Sequence, residues 1–422
     1  MSCKKQNPAE KVLEIINRIY HNGMTTTSGG NISTIDEEGN IYITPSGVDK
    51  GTLTIDDIMK VTPSGEQIGK HKPSCELPFH SKVYKLRPDI KAIVHAHAPA
   101  LVAFAVTRTI PNTKITSHIK NLCGNIYTSA YALPGSLKLG DIISKEFAKG
   151  YDLIMMDNHG AVVGAKDLDT AFSLYETLDF AARMQINAIS IGGNISESNL
   201  ELKNPVFEEF VSDKYSEEEY NLRAEICKMA SRSYDLRIMN STTGTISQRL
   251  SENSFLITPY SGDRKKLQPD DIVKIENGKA EQGKIPSRAA KLHEFLYNTK
   301  PYMNSIFMAQ PPNIMGFALT GKDFDSRLIP ESYIMLRDVK RVPSESLVDY
   351  DKLAAVFGKE VPVVLIDGEC VITAGKSLIQ AFDRLEVLEY SANSVISSLK
   401  MGNINSISDE EVEEINGSFK GW

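Results

Sequence analysis

Read by the spacing of its apolar positions, the chain alternates helical and extended patterns. Ala9 to Tyr20 is amphipathic at helical period. Asn40 to Thr44 and Asp89 to His97 read as strands, the second bounded by Pro88 and Pro99. Tyr151 to Met156 and Ala161 to Gly164 read as two short strands joined by a tight turn at Asp157-Asn158-His159-Gly160. Asp167 to Ile189 is expected to form a long helix, with Asp167 at its N-cap and its end near Gly192-Gly193. Clustered strands between flanking helices predict a layered α/β domain.

The pattern then repeats. Ser28-Gly29-Gly30-Asn31-Ile32-Ser33 is answered by Thr242-Thr243-Gly244-Thr245-Ile246-Ser247, Ile41-Tyr42-Ile43-Thr44-Pro45 by Phe255-Leu256-Ile257-Thr258-Pro259, and Asp56-Asp57-Ile58-Met59-Lys60-Val61 by Asp270-Asp271-Ile272-Val273-Lys274-Ile275. Gly30 and Gly244, Ile43 and Ile257, and Asp57 and Asp271 are each 214 positions apart. Pro73-Ser74 and His80 recur as Pro286-Ser287 and His293, and Ala171-Phe172 and Glu176 as Ala381-Phe382 and Glu386, at slightly smaller offsets. Two homologous domains with a few loop deletions account for this drift. The expected domains are residues 1–200 and 213–422, separated within Asn194 to Tyr220, where Pro205 breaks any preceding helix. Glu217 to Tyr234 is then the counterpart of Pro8 to Tyr20.

Composition narrows the class. A formal charge of −7 over 422 residues argues against general binding of nucleic acid or anionic membranes. No run approaches the ~18 apolar residues of a membrane span. The lysines near Met1 are followed by no apolar core, so no secretory leader is expected. Cys3, Cys75, Cys123, Cys227 and Cys370 are odd in number and scattered, which fits reduced thiols and a cytoplasmic setting.

The chemistry concentrates in the first half. His95 and His97 lie at i and i+2 on an expected strand, so both imidazoles face one side. His159, in the turn before Gly160, is the candidate third ligand, and three neutral imidazoles with an open position describe a catalytic zinc site. Two polar residues on an exposed strand face would give the same spacing. The repeat sharpens the choice in favour of a metal. Of eight histidines only His293 lies in the second half, where Met308, Gln310 and Glu369 match His95, His97 and His159. Ligands of one ion are expected to vanish together. Glu76, a candidate acid/base, is likewise replaced by Ala289, whereas His80 is kept as His293 and reads as structural. The loops Ser28-Gly29-Gly30-Asn31 and Thr44-Pro45-Ser46-Gly47, with Ser74, supply amides and hydroxyls suited to a phosphate, although such turns are usually only turns. The run Arg264-Lys265-Lys266 reads as a solvated face or as a lip attracting an anion.

Gly-Gly-Asn-Ile-Ser, Ile-Thr-Pro-Ser-Gly, Pro-Ser-Cys-Glu, His-Ala-His and Asn-His-Gly, in that order, resemble the class II aldolase/adducin family over residues 9–190 and, more weakly, 217–400. The resemblance implies two tandem three-layer α/β/α domains, each with a mainly antiparallel central sheet. It makes His95, His97 and His159 the ligands of one Zn²⁺ per chain in the first domain, and Glu76 the acid/base. Gly30, Asn31, Ser46, Gly47, Ser74 and Cys75 become the phosphate cradle, with Cys75 standing where the family usually has a serine. It further implies retro-aldol cleavage of a ketose 1-phosphate, of the fuculose-phosphate type, through a zinc-stabilised enediolate. Tyr131, His118 or a residue of a neighbouring copy would complete the proton transfers. An epimerase or dehydratase, or a non-catalytic adducin-like scaffold, are the other members of the family to weigh. Its enzymes form tetramers, so a homo-oligomer is expected, with two tandem chains making a pseudo-tetramer.

Overall fold

The computed structural model describes residues 7–212 and 214–419. Cys3 lies outside the described residues; Cys75, Cys123, Cys227 and Cys370 are free thiols. No helix among the described residues is long and apolar enough to cross a membrane. The chain forms two compact units. One comprises the described residues up to Thr113 together with Ile119–Ala182, the other Lys114–His118 and the described residues from Arg183 onward.

The first unit is built on an eight-stranded sheet. Its strands are β1 (Asn31–Ile35), β2 (Ile41–Ile43), β3 (Met59–Val61), β4 (Gln67–Ile68), β5 (Ala92–Ala96), β6 (Ile126–Ser129), β7 (Leu153–Met156) and β8 (Gly160–Ala165), in the order β4-β3-β2-β1-β5-β8-β7-β6. Every neighbouring pair is antiparallel except β6 and β7. Alternation sends Ile41, Ile43, Met59, Val61, Ile93, Ile154 and Val162 to one face, where they pack with Phe79 and Val83 of the helix Leu77–Leu86 and with Ile143 and Phe147 of Leu137–Ala148. The first helix, Pro8–His21, is capped by Asn7 and buries Val12, Ile15, Ile16 and Ile19 along one stripe. β5 is buried along its whole length, which suits its place in mid-sheet and its short apolar run. The strand expected over Asp89 to His97 shrinks to these five residues, because the amide of Ile90 turns back to the carbonyl of Arg87.

The second unit repeats the plan. Its strands are β9 (Glu209–Phe210), β10 (Thr245–Ser251), β11 (Ser254–Ile257), β12 (Val273–Glu276), β13 (Lys279–Glu281), β14 (Ser305–Ala309), β15 (Val339–Val342), β16 (Val363–Ile366) and β17 (Cys370–Gly375), ordered β15-β16-β17-β14-β10-β11-β12-β13-β9. With β9 set aside, this is the order of the first sheet. The α/β class and the mainly antiparallel sheets are those expected. The long helix Leu168–Ile191 has its Thr170 amide bonded to the Asp167 carboxylate, the cap read from the sequence. The helix Glu217–Asp235 begins after the cap Ser216.

Candidate metal centre

Strand register assembles the site. β1 against β5 sets Asn31 opposite His95 and Ser33 opposite Ile93, so all four side chains share a face. The helix Leu77–Leu86 covers that face, with Glu76 at its N-cap position. His97 follows the end of β5 by one residue. His159 lies in the turn between β7 and β8, just after Asn158, whose φ of 55° is left-handed. Gly160 is required here, since a Cβ on it would lie 2.6 Å from the carbonyl oxygen of Ala96 and 3.0 Å from the ring of His97.

Ligand atoms of His95, His97 and His159 lie within 4.8 Å of one another. The Nε2 atoms of His95 and His97 are 3.1 Å apart. His95 Nδ1 is 2.9 Å from the carbonyl oxygen of Ala161; a carbonyl only accepts, so Nδ1 donates and the Nε2 lone pair faces the cluster. Burial and the neighbouring imidazoles hold His95 well below the usual histidine range, and burial together with His159 brings His97 to about 4. His159 is also lowered by burial, against the pull of Glu76. These are neutral rings whose nitrogens converge, and such a donor set fits a divalent cation that favours nitrogen.

Glu76 closes the cluster, with Oε2 3.3 Å from His95 Nε2 and Oε1 3.7 Å from His159 Nε2. Asn31 donates from Nδ2 to Glu76 Oε2 at 2.7 Å, and its Oδ1 lies 2.6 Å from His80 Nε2. His80 Nε2 must therefore donate, which makes its Nδ1 the acceptor of the Ser33 hydroxyl at 2.7 Å. The Tyr84 hydroxyl donates in turn to Ser33 Oγ at 2.6 Å. Burial pushes His80 down to about 3, in keeping with a single ring proton. The chain Tyr84–Ser33–His80–Asn31 thus fixes one carboxylate oxygen as an acceptor. The other, Oε1, is buried without a hydrogen-bond partner beside the imidazoles.

The expected cradle is brought together in part. An isolated bridge pairs Pro45 with Pro73, which sets Ser46 and Gly47 beside Ser74 and Cys75. Ser46 and Gly47 are exposed, Ser74 is buried, and Cys75 is exposed. The Ser46 amide already donates to the carbonyl of Lys72 and the Glu76 amide to Ser74 Oγ. Gly30, with φ +67°, is needed because a Cβ would meet the His95 carbonyl oxygen at 2.7 Å. Asn31 turns its amide to Glu76 and His80. Of the candidate proton-transfer groups, Tyr131 is exposed, and His118 belongs to the second unit, bonded to Thr242 Oγ1 at 3.1 Å.

Lys50 escaped the sequence reading. It is 2% exposed and donates from Nζ to the carbonyls of Pro45 at 2.8 Å and Val48 at 3.2 Å, pinning the Ser46–Gly47 loop from beneath. A signal was available, since Arg264 stands 214 positions on. Arg264 is itself buried and donates to the carbonyls of Gly244, Gly262 and Pro259. It is a loop staple rather than part of a solvated face or lip.

The family model for the class II aldolase and adducin N-terminal domain matches residues 10–186 and again 224–396. The chain belongs to that family, in tandem. Among curated relatives, the L-fuculose phosphate aldolase of Methanocaldococcus jannaschii is 33% identical over 42% of this chain and 94% of its own length. The 3-oxo-tetronate 4-phosphate decarboxylase of Pectobacterium atrosepticum is 30% identical over 43% and 84%. A solved L-fuculose 1-phosphate aldolase is 26% identical, covering 46% of this chain and 92% of its own, with a TM-score of 0.42.

Proposed function

We propose that the first unit cleaves the bond between the α and β carbons of a carbonyl in a phosphorylated sugar or sugar acid, with Glu76 as the acid/base and His95, His97 and His159 as the metal ligands. One observation carries this reading: a buried carboxylate has one oxygen tied to Asn31 and the other left open beside three converging imidazoles. A cation bound there, zinc by the donor set, would supply a Lewis acid for the charge that builds on the substrate's carbonyl oxygen as the bond breaks. Glu76 Oε1 holds the proton that is delivered to, or taken from, the carbon at the cleaved bond. Asn31 keeps that carboxylate from rotating. Ser46, Gly47 and Ser74, with Lys50 beneath them, are assigned to the phosphate end.

Two leaving groups are compatible with this chemistry. Loss of an aldehyde is retro-aldol cleavage of a ketose 1-phosphate. Loss of carbon dioxide is decarboxylation of a 3-oxo sugar acid phosphate, a reading favoured by the likeness to the tetronate phosphate decarboxylase. Domains at 1–200 and 213–422, a cytoplasmic setting and a homo-oligomer of tandem chains complete the proposal.

The test is metal analysis followed by turnover on both substrate classes. About one zinc per chain, lost in His97→Ala, with a freed aldehyde or carbon dioxide, is the expected result. No bound transition metal after reconstitution, or a product with all its carbons still joined, rejects carbon–carbon cleavage by a metal centre.

A further inference from the structure

In the second unit the positions matching the cradle and the acid/base are altered in one electrostatic direction. Gly244 and Ser287 are kept, Thr245 stands for Asn31, Arg288 for Cys75 and Ala289 for Glu76. The pocket loses a carboxylate and gains a guanidinium. Arg288 is half-buried and makes no hydrogen bond or ion pair among the described residues; its guanidinium lies 5.5 Å from the ring centroid of Tyr260, the residue matching Ser46. Beside it the hydroxyls of Thr245 and Ser287 are 2.7 Å apart, and Ser287 precedes the ten-residue helix Ala290–Thr299.

Other groups face the same space unsatisfied. His293 is fully buried and its Nδ1 lies 2.7 Å from Ser247 Oγ, as His80 Nδ1 does from Ser33. Its Nε2, which in the first unit would meet Asn31, has no partner. Gln310, 7% exposed and at the position of His97, leaves Oε1 without a partner while Nε2 donates to the carbonyl of Glu369. Glu369 is the nearby acid, and its oxygens are already used. They accept from the Ser117 amide at 3.2 and 3.3 Å, from Ser117 Oγ at 2.6 Å and from Ser198 Oγ. Burial disfavours the ionised form of this carboxylate and the Arg288 charge favours it, but the Glu369 oxygens make their hydrogen bonds to Ser117 and Ser198 and none to the guanidinium.

We propose that this pocket holds a phosphate group, gripped by the Arg288 guanidinium and the Thr245 and Ser287 hydroxyls, without metal and without chemistry. A guanidinium fork beside two hydroxyls and the positive end of a helix matches a tetrahedral dianion. An unpaired, half-buried arginine over an aromatic ring is otherwise only a surface cation. The second unit is then a binding module for free phosphate or a phosphate ester.

Equilibrium dialysis of the full chain with inorganic phosphate, and separately with glycerol 1-phosphate, tests this in wild type, Ser74→Ala, Arg288→Gln and Arg288→Lys. One bound equivalent should persist in Ser74→Ala and weaken roughly 10- to 100-fold in Arg288→Gln. Arg288→Lys should fall between, because it keeps the charge and loses the fork. Melting temperatures near wild type confirm that each variant is folded. Tighter glycerol phosphate binding assigns the pocket to an ester, and tighter inorganic phosphate binding assigns it to the free ion. Wild-type affinity and stoichiometry in Arg288→Gln, or loss of all binding in Ser74→Ala, overturns the proposal.

Discussion

The two units carry the same hydrogen-bonded relay up to the point where chemistry begins. Tyr84–Ser33–His80 in the first is matched by Tyr297–Ser247–His293 in the second, with hydroxyl and imidazole distances of 2.6 and 2.7 Å in both. In the first, His80 continues through Asn31 to Glu76. In the second it stops, because Thr245 turns to Ser287 and Ala289 has nothing to accept. The shared part is therefore what the fold needs to seat a helix on the sheet. The part present in one unit alone is what the proposed reaction would use. The second unit has a carboxylate, Glu369, at the position matching His159, and it holds Ser117 and Ser198.

The largest break of this comparison is at Glu76. Glu76→Gln keeps the shape and the contact with Asn31 but removes the carboxylate proposed to transfer the proton. Turnover should fall about 10²- to 10⁴-fold, with metal content unchanged. Unchanged turnover would remove Glu76 from the chemistry.

A comparably large effect, on stability rather than rate, belongs to the second unit. Arg223 is fully buried, lies 3.8 Å over the Tyr215 ring, and bonds Glu219 at 2.7 Å and Glu281 at 2.8 Å. Ala9 stands 214 positions before Arg223, and strand register sets Ile68 where the second unit has Glu281, so the first unit has no equivalent pair. Burial alone would raise the Glu281 carboxyl; hydrogen bonds from Arg223, Lys284 and Tyr215 instead hold it at about 2. Arg223→Ala strips Glu219 and Glu281 of their shared guanidinium, leaving Lys274 and Lys284 as their charged partners, and should cost about 3 kcal/mol. Urea denaturation followed by circular dichroism should show an early transition for the second unit; a curve overlaying wild type would contradict this.

His80 and His293 sharpen the comparison further. Replacing either by Ala removes the same packing and the same serine contact, so both should melt earlier, His80→Ala by somewhat more because it also leaves Asn31 Oδ1 without its donor. Only His80→Ala should also lower kcat, by roughly 10-fold, the worth of about one hydrogen bond, since only His80 orients Asn31. Equal activity in the two variants would mean that Asn31 holds Glu76 unaided.

The sequence carried much of this because duplication acts as an internal control. Ligands that vanish together point to one ion, and His80, kept in both halves, reads as structural. That reading is right for its Nδ1 side and incomplete for its Nε2 side, because the partner Asn31 is reached through β1–β5 pairing across some sixty residues, which spacing does not encode. The same long-range register turns Asn31, expected in the phosphate cradle, toward Glu76. Arg264 looked like part of a charged surface because a basic run shows charge and not depth; its burial follows from the loop carbonyls it satisfies. Strand ends differed where a local turn, as at Arg87–Ile90, ended pairing early.

The smallest test concerns the matching 3-10 turns. Asp57 accepts from the Thr54 amide at 2.8 Å and additionally lies 2.8 Å from His71 Nε2, whereas Asp271 accepts from the Gln268 amide at 2.8 Å and has Lys284, bonded instead to Tyr215 and Glu281, where His71 would be. The Thr54 hydroxyl and His71 hold Asp57 at about 2, below its ordinary 3.8. A depressed carboxyl stabilises the fold above its unfolded value, and that contribution is lost as pH falls from about 4 through about 2. Asp57→Asn should therefore cost about 0.5–1 kcal/mol at pH 7 and progressively less in acid, and Asp271→Asn somewhat less at neutral pH. Melting curves of both variants between pH 2.5 and 7 would check this. A deficit for Asp57→Asn that stays constant down to pH 2.5 would show that His71 and the turn bind the protonated acid just as well.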